Sequence, residues 1–109
     1  MRKIKIRGVP SVMGAPPAST TERVLGVALD RFAHAIREID VALVDVNGPR
    51  GGRDKRCRTR VSLVPRGTVV VEGAGESYLE AVHGAAELAK RALERHAGRR
   101  RTGLRRRAA

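Results

Sequence analysis

Arg56, Arg58 and Arg60 occupy alternate positions of one short segment, and Arg50, Arg53 and Lys55 lead into it through a glycine-rich turn. Guanidinium and ammonium groups placed this way donate charge-assisted hydrogen bonds to phosphate oxygens. Three further groups share that chemistry: Arg2, Lys3, Lys5 and Arg7 near the N-terminus, Lys90, Arg91 and Arg95 on a helical repeat, and six arginines between Arg99 and Arg107. Lys and Arg total 23 against 11 acidic residues, a formal net charge of +12. Solubility needs less than this, and so basic a small domain is drawn to a polyanion, most commonly nucleic acid. The plainer explanation for any single one of these side chains is a solvated face. For Lys90, Arg91 and Arg95 favourable interaction with a helix dipole is a further plain explanation.

The rest of the composition narrows how a polyanion would be held. The chain has one Phe, one Tyr and no Trp. Readers of single-stranded nucleic acid stack bases on aromatic rings, so contact through backbone and shape of a folded RNA fits better. Catalytic patterns are weak. Gly73-Ala74-Gly75 follows a strand and precedes a helix, but Tyr78 stands where a dinucleotide fingerprint needs glycine; a turn feeding a helix cap is the simpler reading. His34, His83 and His96 are scattered, none at ligand or triad spacing with Cys57 or an acid. No enzyme, metal or cofactor is expected. The single cysteine, Cys57, fits a small core residue and a reducing cytoplasm. No apolar run approaches the roughly 20 residues that span a bilayer, and Met1-Arg2-Lys3-Ile4 does not begin a signal peptide. A cytoplasmic protein without membrane contact or small-molecule substrate is expected.

Periodicity places these groups on elements. Lys3 to Gly8 alternates Ile4 and Ile6 with cations, the pattern of a half-buried strand. Pro10 to Pro17 is a loop. Ser19-Thr20-Thr21-Glu22 has capping-box spacing, and Leu25, Ala28, Leu29, Phe32 and Ile36 form a helical stripe ending near Arg37. Ile39 to Val46 reads as a second strand and Asn47 to Asp54 as a turn. Lys55 to Leu63 is a third strand with Cys57, Thr59, Val61 and Leu63 on one side. Pro65-Arg66-Gly67 turns the chain into a fourth strand, Thr68 to Glu72. A second capping box, Ser77 to Glu80, opens a helix with Leu79, Val82, Ala86, Ala89 and Leu93 on one face, ending near Arg95 or His96. The arginine-rich remainder has almost nothing apolar and is expected to be disordered when free. The predicted fold is α+β: a β-α-β-β-β-α two-layer sandwich with a four-stranded sheet and both helices on one face.

Two segments resemble a known family. DVNGPRGGRDKRCRTRVSLV (Asp45 to Val64) and VVVEGAGESYLEAVHGAAELAKRALER (Val69 to Arg95) are similar to ribosome hibernation-promoting factors, also called ribosome-associated inhibitors. The likeness lies in the Asn-Gly-Pro-Arg-Gly-Gly turn, the Asp-Lys-x-Cys-Arg strand start and the Tyr-x-x-Ala-x-x-x-Ala-Ala helix, and spans roughly residues 1 to 96. The resemblance implies a fold reminiscent of double-stranded-RNA-binding domains. It also implies binding to small-subunit ribosomal RNA in the channel for messenger and transfer RNA, with translation silenced under stress. It makes Lys90, Arg91 and Arg95 the best-matched contacts, beside Lys3, Lys5, Arg7, Arg50, Arg53, Lys55, Arg56 and Arg58. Two departures stand out. Glu87 and Leu88 follow Ala85-Ala86 where many members carry a cation. No dimerising C-terminal domain follows the helix, so pairing of ribosomes by that route is not expected.

The resulting expectation is a ribosome-binding domain over 1–96 and a basic tail over 97–109, monomeric off the ribosome. A general structured-RNA module or RNA chaperone shares all the charge observations. A phosphoester enzyme lacks a general base, and a protein-binding regulator of transcription would capture a protein rather than RNA.

Overall fold

A computed structural model describes the backbone of residues 6–7, 14–46 and 55–108, and the side chains of 14–46 and 55–98. In chain order the elements are β1 (Ile6–Arg7), α1 (Ala18–Leu29), a 3-10 turn (Asp30–Ala35), β2 (Ile36–Asp45), β3 (Lys55–Leu63), β4 (Thr68–Gly75) and α2 (Tyr78–Ala108).

The expected four-stranded β-α-β-β-β-α sandwich needs correction. The sheet proper is three-stranded and antiparallel, β2–β3–β4, so the substantial elements run helix, three strands, helix. β1 contributes only a two-residue parallel pairing, Ile6 beside Ile39 and Arg7 beside Asp40, at the β2 edge. Two residues are well short of the five or six of an ordinary strand. The rest of the expected strand over Lys3 to Gly8 lies outside the described residues.

Element boundaries move for local reasons. The Ser19–Glu22 capping box is not used, because Pro17 is already the cap of α1 and its carbonyl accepts from the Thr20 and Thr21 amides at 2.9 and 3.2 Å. α1 ends at Leu29, tightens into the 3-10 turn, and β2 begins at Ile36 rather than Ile39. Ile36 is buried as its stripe requires, but as a strand residue opposite Leu63, with a bulge between it and Glu38. The second capping box does form: Ser77 Oγ accepts the Glu80 amide at 3.1 Å, and the Glu80 carboxylate reaches back to the Glu76 amide at 3.2 Å. α2 then runs past the expected end near Arg95 or His96 and continues to Ala108. Leu79, expected on its buried face, is 40% exposed, and Tyr78 and Ala81 take that place.

One apolar core joins the helices to the inward face of the sheet. Leu25 and Leu29 of α1, Ile39 of β2, Val61 of β3 and Val82 of α2 are fully buried. Each such side chain stabilises the fold by roughly 1.5–3 kcal/mol before ordering costs. Strand alternation does the sorting, with Cys57, Thr59, Val61 and Leu63 inward and Arg58 and Arg60 outward.

Gly73-Ala74-Gly75 is neither a turn nor a phosphate loop; it is the last part of β4. A methyl group on Gly73 would collide with the Ala81 carbonyl and the Ala85 amide, and one on Gly75 would meet Glu80 Cβ at 2.5 Å. From the helix side, Gly84 faces the Gly73 backbone, where a methyl would lie 3.5 Å from its Cα. Glycines and alanines therefore form a seam along which α2 rests almost directly on the β4 backbone, closer than side chains ordinarily permit.

Candidate nucleic-acid interface

The family-like segment around the glycine-rich turn is closed at its base by an ion pair. Lys55, the first residue of β3, extends from the inward register and its Nζ meets Asp45 Oδ2 at 2.7 Å, both groups only partly exposed. The same ammonium lies over the Tyr78 ring, 5.6 Å from its centroid, a cation–π distance. Asp45, Lys55 and Tyr78 thus tie the mouth of the turn to the start of α2. Lys55, expected as a phosphate contact, has its charge engaged within the protein. Arg50 and Arg53, which the turn carries, lie outside the described residues, as do Lys3, Lys5 and the side chain of Arg7.

Arg56, Arg58 and Arg60 project from the face of the sheet opposite the helices. Here the structure changes their meaning. Arg58 Nε donates to Glu72 Oε2 at 2.7 Å, and Arg56 Nε lies 3.5 Å from the other oxygen of the same carboxylate. Arg60 stands opposite Asp40 in register, and Glu38 opposite Ser62. The three arginines are met on this face by three acids, Glu38, Asp40 and Glu72. Such a face is a mixed one, and it does not supply a positive field.

Lys90, Arg91 and Arg95 fall on α2, in the other layer, and not at its end as expected but near its middle. Arg91 and Arg95 are exposed and Lys90 half-buried. Arg91 pairs with Glu87 one turn earlier, at 3.4 Å. That is the favourable order for a helical pair, and it places a carboxylate where the resemblance leads one to look for a cation. Among the described residues the predicted cations lie partly on the open sheet face and partly on the helix, and the others lie outside the described region.

Counting charge by segment shows where the positive field originates. Residues 14–46 and 55–98 together carry eleven Lys and Arg and ten Asp and Glu, a net charge of +1. The other twelve cations, against the single acid Asp54, belong to 1–13, 47–54 and 99–109. The last of these alone contributes six arginines and no acid.

No protein-family model matches this chain, and no curated protein matches it.

The remaining reactive groups are accounted for by packing. Cys57 is fully buried, its Sγ 3.4 Å from Thr59 Oγ1. Burial pushes its thiol pKa up, and the Thr59 contact only partly offsets this. His34 and His83 are exposed and His96 half-buried, and among the described residues no group of three or more His, Cys, Asp or Glu could hold a metal. Phe32 and Tyr78 are 8% and 6% exposed, so neither offers a ring face to a base. Among the described residues no helix is long and apolar enough to cross a membrane.

Proposed function

We propose that the chain is a binding protein, not an enzyme, that associates with small-subunit ribosomal RNA in the decoding channel and silences translation. The observation that carries this reading is the charge itself: 23 Lys and Arg stand against 11 acids, with six arginines and no acid over 99–109. Cations grouped along a small chain suit a target whose phosphates approach from several directions, as in folded RNA. The ties among Asp45, Lys55 and Tyr78 hold together the two chain ends between which Arg50 and Arg53 lie in the sequence. Lys90, Arg91 and Arg95 supply the helix contacts. The decoding channel and the silencing of ribosomes rest on the resemblance of Asp45 to Val64 and Val69 to Arg95 to hibernation factors.

Co-sedimentation with purified small subunits across a salt series, with and without messenger and initiator transfer RNA, tests it. Saturation near one copy per subunit, abolished by those ligands, is the expected result. Unsaturable binding that ignores the ligands and collapses with modest salt would instead favour the general structured-RNA module, which the same charge also supports.

A further inference from the structure

α2 outlasts the sheet it packs on. Leu93 is the last of its buried residues among those described, and His96 lies beside Gly67, in the turn where β3 gives way to β4 and the sheet ends. The helix nevertheless continues to Ala108. At 1.5 Å per residue, residues 99–108 add about 15 Å of helix past the sheet. The radius of gyration, 15.2 Å, accordingly exceeds the about 13 Å expected of a compact chain this long.

That extension carries Arg99, Arg100, Arg101, Arg105, Arg106 and Arg107, with Leu104 as its one large apolar residue. It has no apolar stripe to bury, so packing cannot be what holds it helical. Arginines one turn apart repel, which weakens the helix in isolation. The C-terminal end of the macrodipole favours cations but offers only a fraction of a kcal/mol per charge. A polyanion removes the repulsion. Six charges over nine residues amount to about one per 2 Å of helix axis, close to the one per roughly 1.7 Å along a nucleic-acid duplex. An anionic bilayer matches less well, because interfacial helices need bulky apolar anchors.

We infer that residues 99–108 form a nucleic-acid-binding arm that continues α2 as one helix and enters a groove of structured RNA opened by a bulge or loop. The arm works as a helix and not merely as a string of charges. This rests on the RNA-binding reading above and names the segment that supplies most of the affinity.

The test uses the full chain and a fluorescent bulged RNA hairpin. Six neutralised phosphates correspond to a log–log salt slope of about −5, and deletion of 99–109 is expected to remove three or more units of it. Among the described residues the buried core ends at Leu93, and the far-ultraviolet spectrum and thermal midpoint of the deleted chain check that its fold is kept. Thr102→Pro keeps every arginine but breaks the helix and is expected to weaken binding at least tenfold. Helical circular dichroism of the RNA-bound chain should be lower for Thr102→Pro than for the native sequence. Native-like affinity of Thr102→Pro, an unchanged slope after deletion, or preference for phosphatidylserine vesicles over the hairpin would each overturn the inference. Failure of the ribosome reading is separately visible, since small subunits would then compete no better than unlabelled hairpin.

Discussion

At Gly73 the seam leaves no room for a methyl group, because what a methyl would strike is the backbone of α2 and not the yielding end of a side chain. Gly73→Ala must therefore lift the helix, and a loss of about 3 kcal/mol or more in urea unfolding is expected. Thr21 presents the opposite case. It is fully buried in α1 and its hydroxyl has no hydrogen-bond partner. Thr21→Val keeps the shape and removes the unsatisfied oxygen, so a gain of about 1 kcal/mol in the same assay is expected. Cys57 offers a third check. Its raised pKa means that the folded state disfavours the thiolate. The associated stability is complete below the ordinary thiol pKa and is lost as pH rises through the raised folded value. Unfolding midpoints should accordingly fall on the alkaline side of the ordinary thiol pKa, and Cys57→Ala should flatten that fall. A thiol reagent at neutral pH should label the chain only once urea has unfolded it.

Among the elements, the long periodic ones were legible and the junctions were not. β3 was plain, since Cys57, Thr59, Val61 and Leu63 alternate without a break. The first helical stripe had the right buried residues, yet Ile36 reaches its place as a strand residue, because a buried position looks the same from either period at the joint. Of β1 only Ile6 and Arg7 are described. The glycines of β4 read as a turn because the ordinary meaning of Gly-x-Gly is punctuation, and only the close approach of α2 gives them another. The acid that pairs with Arg56 and Arg58 comes from β4, which sequence spacing alone does not bring alongside. That account predicts that Arg58→Gln combined with Glu72→Gln, a change of zero net charge, leaves RNA affinity within about twofold of native. A larger loss in a hairpin-binding titration would return the open sheet face to the interface.

The molecule as a whole separates stability from attraction. The apolar core and the small-residue seam lie within a body whose charges nearly cancel, so self-repulsion costs that body little. Residues 99–109 add six arginines and no acid. Arg99, Arg100 and Arg101 changed together to Gln should lower the salt slope of RNA binding by about two to three units. The same substitutions should leave the thermal midpoint of the body almost unmoved in a differential scan. This unevenness of charge is legible in the sequence by counting segment by segment, and by no motif.

The seam also has a directional consequence. α2 is 31 residues long, so it spans about 46 Å, and it is seated on the sheet only through its first half. Contact so close leaves the seated half no freedom to rock, and the helix acts as a lever with its fulcrum at Gly73 and Gly75. About 35–40 Å of helix lie beyond that fulcrum. A tilt of about 10° there would swing the far tip by roughly 6–7 Å, about twice the ~3.4 Å axial step between phosphates of one strand. The smallest residues in the protein, remote from every arginine of the last turns, are thus the ones that aim them.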